Sequence, residues 1–259
     1  MKAIRLHEPT GSDGLVFEEV PDATPMLGDV LVKVAACGIT HNELDWPVWT
    51  CRAGHRRSSI IPGHVHAAAV PRAGLTAWTG LFDHGRLAEG QTVVINGAGG
   101  AVGSTAVQLA RWAGAEVIGT GRNRIRSQVM ELGADRFIAL DNDDDDPGPD
   151  RLEDVAGQAD LVFDTIGGDV LAQSPALLRR DGTLVIIKAD RPRPAGRDDI
   201  TTVVFVQESS RAQLTELARL VDEGHLRPQV GPVYPLAEAA QGYRAKAAGG
   251  ISGRVILRP

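Results

Sequence analysis

The sequence is poor in cysteine, carries no excess of positive charge, and contains no long uninterrupted apolar run. Its two cysteines, Cys37 and Cys51 with thirteen residues between them, form neither a CxxC metal pair nor a disulfide framework. Free thiols in a reducing compartment are expected. A four-cysteine structural zinc is arithmetically excluded, which leaves open only a histidine- or carboxylate-rich metal site. Lys and Arg number 27 against 33 Asp and Glu, a formal charge of −6, so the composition does not offer the clustered positive surface that a polyphosphate chain demands. A nucleic-acid partner is not expected. No apolar stretch reaches the roughly 18 residues needed to span a bilayer, and Met1-Lys2-Ala3-Ile4-Arg5 opens without a secretory apolar segment. The expectation is a cytoplasmic protein without a membrane partner.

What is present is ordinary globular material: 43% hydrophobic and 23% charged residues over 259 positions, enough to bury a full core. The pattern along the chain divides it. Residues 1–72 read as short strands (1–7, 15–20 and 30–36) punctuated by Gly11, Gly14, Pro21, Pro25 and Gly28. Residues 73–224 alternate apolar strand runs with helix-length amphipathic stretches, the signature of a parallel sheet covered by helices. Strands are expected at 92–96, 116–120, 137–140, 161–164, 183–188 and 203–206, with helices at about 103–112, 126–132 and 211–223. Six strands in this rhythm predict an α/β fold built on a doubly wound Rossmann sheet. The tail, 225–259, reads as Pro/Gly-broken strand that returns to the N-terminal part. The run Asp141-Asn142-Asp143-Asp144-Asp145-Asp146 lacks the spacing of a calcium loop and is expected to be solvated, as is Arg191-Pro192-Arg193-Pro194.

The most informative stretch is Val93-Val94-Ile95-Asn96-Gly97-Ala98-Gly99-Gly100-Ala101-Val102-Gly103, a glycine-rich turn between an apolar strand and an amphipathic helix. Gly97, Gly99 and Gly100 permit a tight turn whose N–H groups approach a pyrophosphate. Gly103 lets the helix pack on the strand, and the helix N-terminus, reached through Ala101 and Val102, favours negative charge. A tight turn with no ligand is the competing explanation, but it does not account for so many glycines at these offsets. The next strand ends Thr120-Gly121-Arg122-Asn123-Arg124, with two guanidinium groups where an NAD site carries an acidic residue. Arg122 and Arg124 suit a 2′-phosphate, which favours NADP; a plain basic helix start is the alternative.

At this point the chain resembles a family. Gly74-Leu75-Thr76-Ala77-Trp78, the turn 97–103, Asp164-Thr165-Ile166-Gly167-Gly168 and Gly253-Arg254-Val255-Ile256-Leu257 are similar to the zinc-independent, quinone-oxidoreductase-like branch of the medium-chain dehydrogenase/reductases. The resemblance implies a GroES-like β domain built from both ends of the chain, a central Rossmann domain and NADPH in the cleft between them. It also implies that Thr76, Thr165, Ile166, Lys188 and Ala189 lie near the nicotinamide half and Asn42 near the substrate. Where zinc-dependent relatives carry metal ligands this chain has Thr40, Val65 and Ala73, and His64 alone cannot hold a catalytic zinc, so no metal is expected. The family's usual several tens of residues between a Pro-Gly-His stretch and an Ala-Ala-Ala-Val-Pro segment are missing: Pro62-Gly63-His64-Val65-His66 runs straight into Ala67-Ala68-Ala69-Val70-Pro71. The β domain is therefore expected to be truncated, with exposed sheet edges. Together with the resemblance, such an edge is compatible with a homodimer.

Two chemistries follow from different classes. In the first, an NADPH-dependent oxidoreductase reduces a small enone, quinone or enoyl-type substrate by hydride transfer without metal. Thr40, Asn42 or a backbone N–H would stabilise developing negative charge, and water, His41 or a nearby acid would supply a proton. In the second, the scaffold serves a non-redox cyclase or isomerase with Glu43, Asp45 or His41 as acid and base, or a nucleotide-binding partner protein without turnover. The segment Thr40-His41-Asn42-Glu43-Leu44-Asp45-Trp46-Pro47-Val48-Trp49 carries the candidates for both, although its two indoles suit a core as well as a substrate wall.

Overall fold

The computed structural model describes residues 1–25, 33–39, 44, 59–61, 71–141, 151–187, 197–208, 210–249, 251 and 253–259. In chain order these form β1 (Lys2–Leu6), β2 (Leu15–Glu19), β3 (Cys37–Gly38), α1 (Pro71–Trp78), β4 (Thr92–Asn96), α2 (Ala101–Trp112), β5 (Glu116–Gly121), α3 (Arg126–Glu131), β6 (Arg136–Ala139), β7 (Ala159–Asp164), α4 (Gly168–Leu177), β8 (Leu178–Ile186), β9 (Thr201–Val204), α5 (Arg211–Asp222), β10 (Val230–Pro235), α6 (Ala239–Ala248) and β11 (Arg254–Arg258). They divide into two compact units, one of residues Met1–Ala69 and Gln229–Pro259, the other of Val70–Pro228.

The second unit is an α/β fold on a six-stranded sheet in the order β6-β5-β4-β7-β8-β9, with every neighbouring pair parallel. Its strands are apolar on both faces because helices cover both. The period of two sorts their side chains into two layers. Val93, Ile95, Val117, Phe137, Leu161, Phe163 and Val185 pack with residues of α1, α2, α3 and α5 on one face. Val94, Ile118, Ile138, Val162, Leu184 and Ile186 pack on the other with Leu171 and Leu177 of α4. This doubly wound α/β sheet is the architecture expected from the strand–helix rhythm. Strand limits differ mostly by a residue or two, but β8 begins at Leu178 rather than near 183, and α2 starts at Ala101, two residues ahead of expectation. Helix α4 was not foreseen. It opens on glycine and contains Pro175, so neither propensity nor apolar periodicity announces it.

The first unit holds an antiparallel pair, β1 with β2, and a three-stranded sheet in the order β10-β11-β3. Within that sheet β10 runs parallel to β11, which pairs antiparallel with β3. The tail thus does pack on the N-terminal part: Ile256 and Leu257 lie opposite Gly38 and Cys37. Two expectations are corrected here. Residues 33–36, the described part of the strand expected at 30–36, are not strand; pairing starts at Cys37. Nor is the tail strand throughout, because α6 occupies Ala239–Ala248. This alanine-rich run has good helix propensity, and Gly242 within it permits close packing: a methyl built there would stand 3.1 Å from Ile39 Cδ1 and 3.2 Å from Tyr234 Cδ2. Ile4, Leu6, Ile39, Ile60, Tyr243, Val255 and Leu257 form the unit's core. Among the described residues no helix is long and apolar enough to cross a membrane.

Candidate functional site: a glycine turn at the sheet's switch point

From β4 the chain winds outward to β5 and β6 on one side and to β7, β8 and β9 on the other. The C-terminal ends of β4 and β7 therefore flank the topological switch point, where open α/β sheets leave a crevice for ligands. The glycine turn leaves β4 at this edge. Gly97 has φ +79°, and a methyl there would collide with the Thr165 hydroxyl and come within 3.0 Å of Ile166 Cγ1. At Gly103 the clash is with main chain: a methyl would lie 2.7 Å from the carbonyl carbon of Gly97 and 2.9 Å from Ala98 Cα. Only hydrogen fits at either position, so the first turn of α2 lies directly on the loop that leaves β4. Gly100 is the residue preceding α2, and no side chain caps the helix there. The first-turn N–H groups of Ala101 and Val102 head a twelve-residue helix, at the end of its dipole that favours negative charge.

Beneath the turn lies a buried polar cluster. Asn96, Thr120 and Asp164 close β4, the end of β5 and β7, in register as adjacent parallel partners, and all three fall on the face covered by α4. The Thr120 hydroxyl donates to Asn96 Oδ1 at 2.9 Å. Asn96 Nδ2 donates to Asp164 Oδ2 at 3.0 Å and to Ser174 Oγ of α4 at 2.9 Å. Asp164 Oδ1 accepts the Gly167 N–H at 2.7 Å, and the Ser174 hydroxyl donates to the Val170 carbonyl at 3.0 Å. None of the four side chains is more than 1% exposed, so each bond replaces one that water would otherwise make. The main chain continues the cluster. The Asn96 carbonyl accepts the Thr165 hydroxyl at 2.6 Å and the Thr165 N–H at 3.2 Å, while the Thr120 carbonyl accepts the N–H groups of Gly97 at 3.1 Å and Ala98 at 3.0 Å.

The structure thus brings together Gly97, Gly99, Gly100, Ala101, Val102, Gly103, Thr120, Gly121, Thr165 and Ile166 around one sheet edge. The side chain of Ile125 packs over both Gly99 and Gly121. Arg122 and Arg124 follow β5 and are exposed; Arg126 is bonded to Asn123 Oδ1 at 3.0 Å and the Phe137 carbonyl at 3.3 Å, with its guanidinium over the Phe137 ring. An acidic group also stands at this corner: Asp141 Oδ1 accepts the Asn123 N–H at 2.7 Å. Thr76 lies on α1, buried, with its hydroxyl bonded to the Arg72 carbonyl at 2.8 Å. Lys188 and Ala189, and the candidates Thr40, His41, Asn42, Glu43 and Asp45, lie outside the described residues, as do His64 and the junction at 62–70. Among the described residues no three His, Cys, Asp or Glu side chains are grouped to hold a metal ion. The polar cluster itself was missed at the sequence level. Its signal was the polar residue closing each apolar run, Val-Val-Ile-Asn96 and Leu-Val-Phe-Asp164; Ser174 carried none.

Residues 132–257 match the family described as "Zinc-binding dehydrogenase". This match spans just under half of the chain. The resemblance to medium-chain dehydrogenases read from the sequence is borne out at that level. Among curated proteins the chain is 30% identical over 213 residues to highly-reducing polyketide synthase 1 of Aureobasidium melanogenum, covering 74% of this chain and 10% of that protein. It is 31% identical over 172 residues to the putative NADP-dependent oxidoreductase YfmJ of Bacillus subtilis, covering 61% of this chain and 46% of that one. The chain thus spans under half the length of either relative. The quinone oxidoreductase of Coxiella burnetii superposes with a TM-score of 0.81 at 21% identity, over 100% of this chain and 99% of that one, which shows a shared fold.

Proposed function

We propose that the protein is an NADPH-dependent oxidoreductase that reduces a small enone, quinone or enoyl-type substrate by hydride transfer. The observation that carries this reading is the turn at the switch point, where the positions of Gly97 and Gly103 admit no methyl and the first turn of α2, without a side-chain cap, packs against the loop that leaves β4. Such a cradle fits a dinucleotide diphosphate. When bound, NADPH supplies the hydride. The chain's own residues do the rest: main-chain N–H groups of Gly99, Ala101 and Val102 hold the diphosphate, Arg122 and Arg124 face the 2′-phosphate, and the Thr165–Ile166 turn borders the nicotinamide half. Residues 73–224 serve as the cofactor domain, with 1–72 and 225–259 as the substrate domain. Thr76, Lys188 and Ala189 line the nicotinamide half, and Thr40, His41 and Asn42 provide hydrogen bonds and a proton on the substrate side.

Similarity to a putative NADP-dependent oxidoreductase supports the cofactor choice. The likeness to a highly-reducing polyketide synthase and the fold shared with a quinone oxidoreductase support the substrate class. Metal independence rests on the donor set: two cysteines in the chain, and Thr40, Val65 and Ala73 at the positions compared above. The reading includes a homodimer in the cytoplasm.

The test is a fluorescence titration with NADPH and NADH, followed by NADPH oxidation against a panel of enones, quinones and enoyl thioesters with and without a chelator. Tight NADPH binding with chelator-resistant turnover supports the reading. Absence of binding by either coenzyme at millimolar concentration refutes it, and binding without turnover on any substrate refutes the redox assignment.

A further inference from the structure

The buried cluster of Asn96, Thr120, Asp164 and Ser174 does more than end a core layer. Apolar side chains of similar size would close the α4-facing layer with no requirement to satisfy donors and acceptors, whereas a buried polar network stabilises only when every member is paired. Here the pairing is complete for the Asn96 amide, which uses both its N–H bonds and its carbonyl to reach β5, β7 and α4 at once. The same three strand ends hold two turns through their other groups. Thr120 accepts the amides of Gly97 and Ala98, Asn96 accepts the amide and hydroxyl of Thr165, and Asp164 accepts the amide of Gly167. The separation between the turn at 97–103 and the turn at 165–168 is therefore dictated from below, and so tightly that a methyl on Gly97 would strike Thr165 and Ile166.

We infer that Asn96, Asp164 and Ser174 are positioning residues: buried away from the crevice, they fix the gap between the turn that holds the diphosphate and the turn that borders the nicotinamide, and so the two halves of the coenzyme relative to one another. The inference rests on the dinucleotide reading above. Because the network acts on the gap, its disruption weakens a ligand that spans both turns and spares one that rests on the first turn alone.

The chemistry of the Asn96–Asp164 pair provides the test. Asp164→Asn keeps the volume but sets two donors against each other whichever way the new amide turns, because Oδ1 must accept from Gly167 and Oδ2 from Asn96. Asn96→Asp sets two carboxylates together. The double exchange, Asn96→Asp with Asp164→Asn, restores one amide facing one carboxylate. The full chain and these variants are titrated with NADPH, which spans both turns, and with 2′-phospho-ADP-ribose, which lacks the nicotinamide. Each single exchange is expected to weaken NADPH about tenfold while the fragment stays within about twofold, and the double exchange to recover most of the loss, as for a broken and remade buried hydrogen bond. Ser174→Ala, which removes one hydroxyl and changes no charge, is expected to weaken NADPH alone by about threefold.

Parallel weakening of NADPH and fragment, unchanged NADPH affinity in folded single variants, or a double exchange no better than the singles overturns the positioning role. If the exchanges fail to fold, Ser174→Ala decides by the same NADPH-against-fragment comparison. A wild-type chain that binds neither ligand defeats the dinucleotide reading and this inference together, whereas a wild type that binds both with variants that fail the comparison defeats the inference alone.

Discussion

Replacing Gly103 by alanine puts the fit of α2 against the glycine turn to direct trial. The added methyl would stand 2.7 Å from the carbonyl carbon of Gly97 and 2.9 Å from Ala98 Cα, both main-chain atoms that cannot rotate aside. Restoring ordinary carbon–carbon contact requires the first turn of α2 to retreat by about 1 Å. Overpacking of this kind costs about 1–3 kcal/mol, against which alanine returns up to about 1 kcal/mol of helix propensity, so a net loss of about 1–2 kcal/mol is expected. The functional loss should be larger. The retreating turn carries the N–H groups assigned to the diphosphate, and a displacement of about 1 Å in a positioned group can cost on the order of a hundredfold in activity. Urea unfolding followed by tryptophan fluorescence gives the first quantity, and NADPH titration with steady-state oxidation gives the second. Gly100→Ala is the comparison. Its φ is −74° and, among the described residues beyond its chain neighbours, a methyl there meets only the Gly97 carbonyl oxygen, at 3.3 Å, so stability should stay within about 0.5 kcal/mol of wild type. A Gly103→Ala protein with wild-type midpoint and wild-type NADPH affinity would refute the close-packing argument.

Three further outcomes follow from other parts of the molecule. Arg122→Glu should lower the preference for NADPH over NADH, measured as the ratio of kcat/KM values; an unchanged ratio would remove Arg122 from the 2′-phosphate site. Lys246 is half-buried on α6, and burial together with the nearby Arg254 charge holds its ammonium pKa below the usual lysine value. A depressed lysine pKa means that folding disfavours the charged form. Lys246→Met should therefore raise Tm at neutral pH, and the advantage should shrink as pH rises toward the ordinary lysine range; a gain independent of pH would contradict this. The Arg197 hydrogen bonds hold the Asp199 carboxyl below its ordinary value, so the pair stabilises above the unfolded carboxylate pKa and ceases to do so as pH falls through the lower folded value. Asp199→Asn should accordingly lower Tm slightly at neutral pH and match wild type in strong acid, with thermal scans across pH as the check.

The sequence by itself determined the α/β class, the six strands of the central sheet and the place of the glycine turn. Each of these is a local signal: an apolar run buried on two faces, a helix period, and glycines where strand meets helix. The Arg122–Arg124 corner was legible for the same reason, since it follows β5 directly. Tertiary structure alone decided the rest. Helix α4 opens on glycine and carries an internal proline, so its existence depends on packing Leu171 and Leu177 against the sheet. Helix α6 has good propensity of its own, but the close approach of Gly242 to Ile39, from the other end of the chain, is set by the tertiary fold. The polar cluster joins Asn96 to Asp164 across 68 positions and to Ser174 across 78, and no periodicity links residues so far apart. They meet because β4 and β7 are neighbours in register although β5 and β6 intervene in the chain. The sheet order, and with it the spacing of the two turns, is a property of hydrogen-bonded strand ends rather than of any one segment.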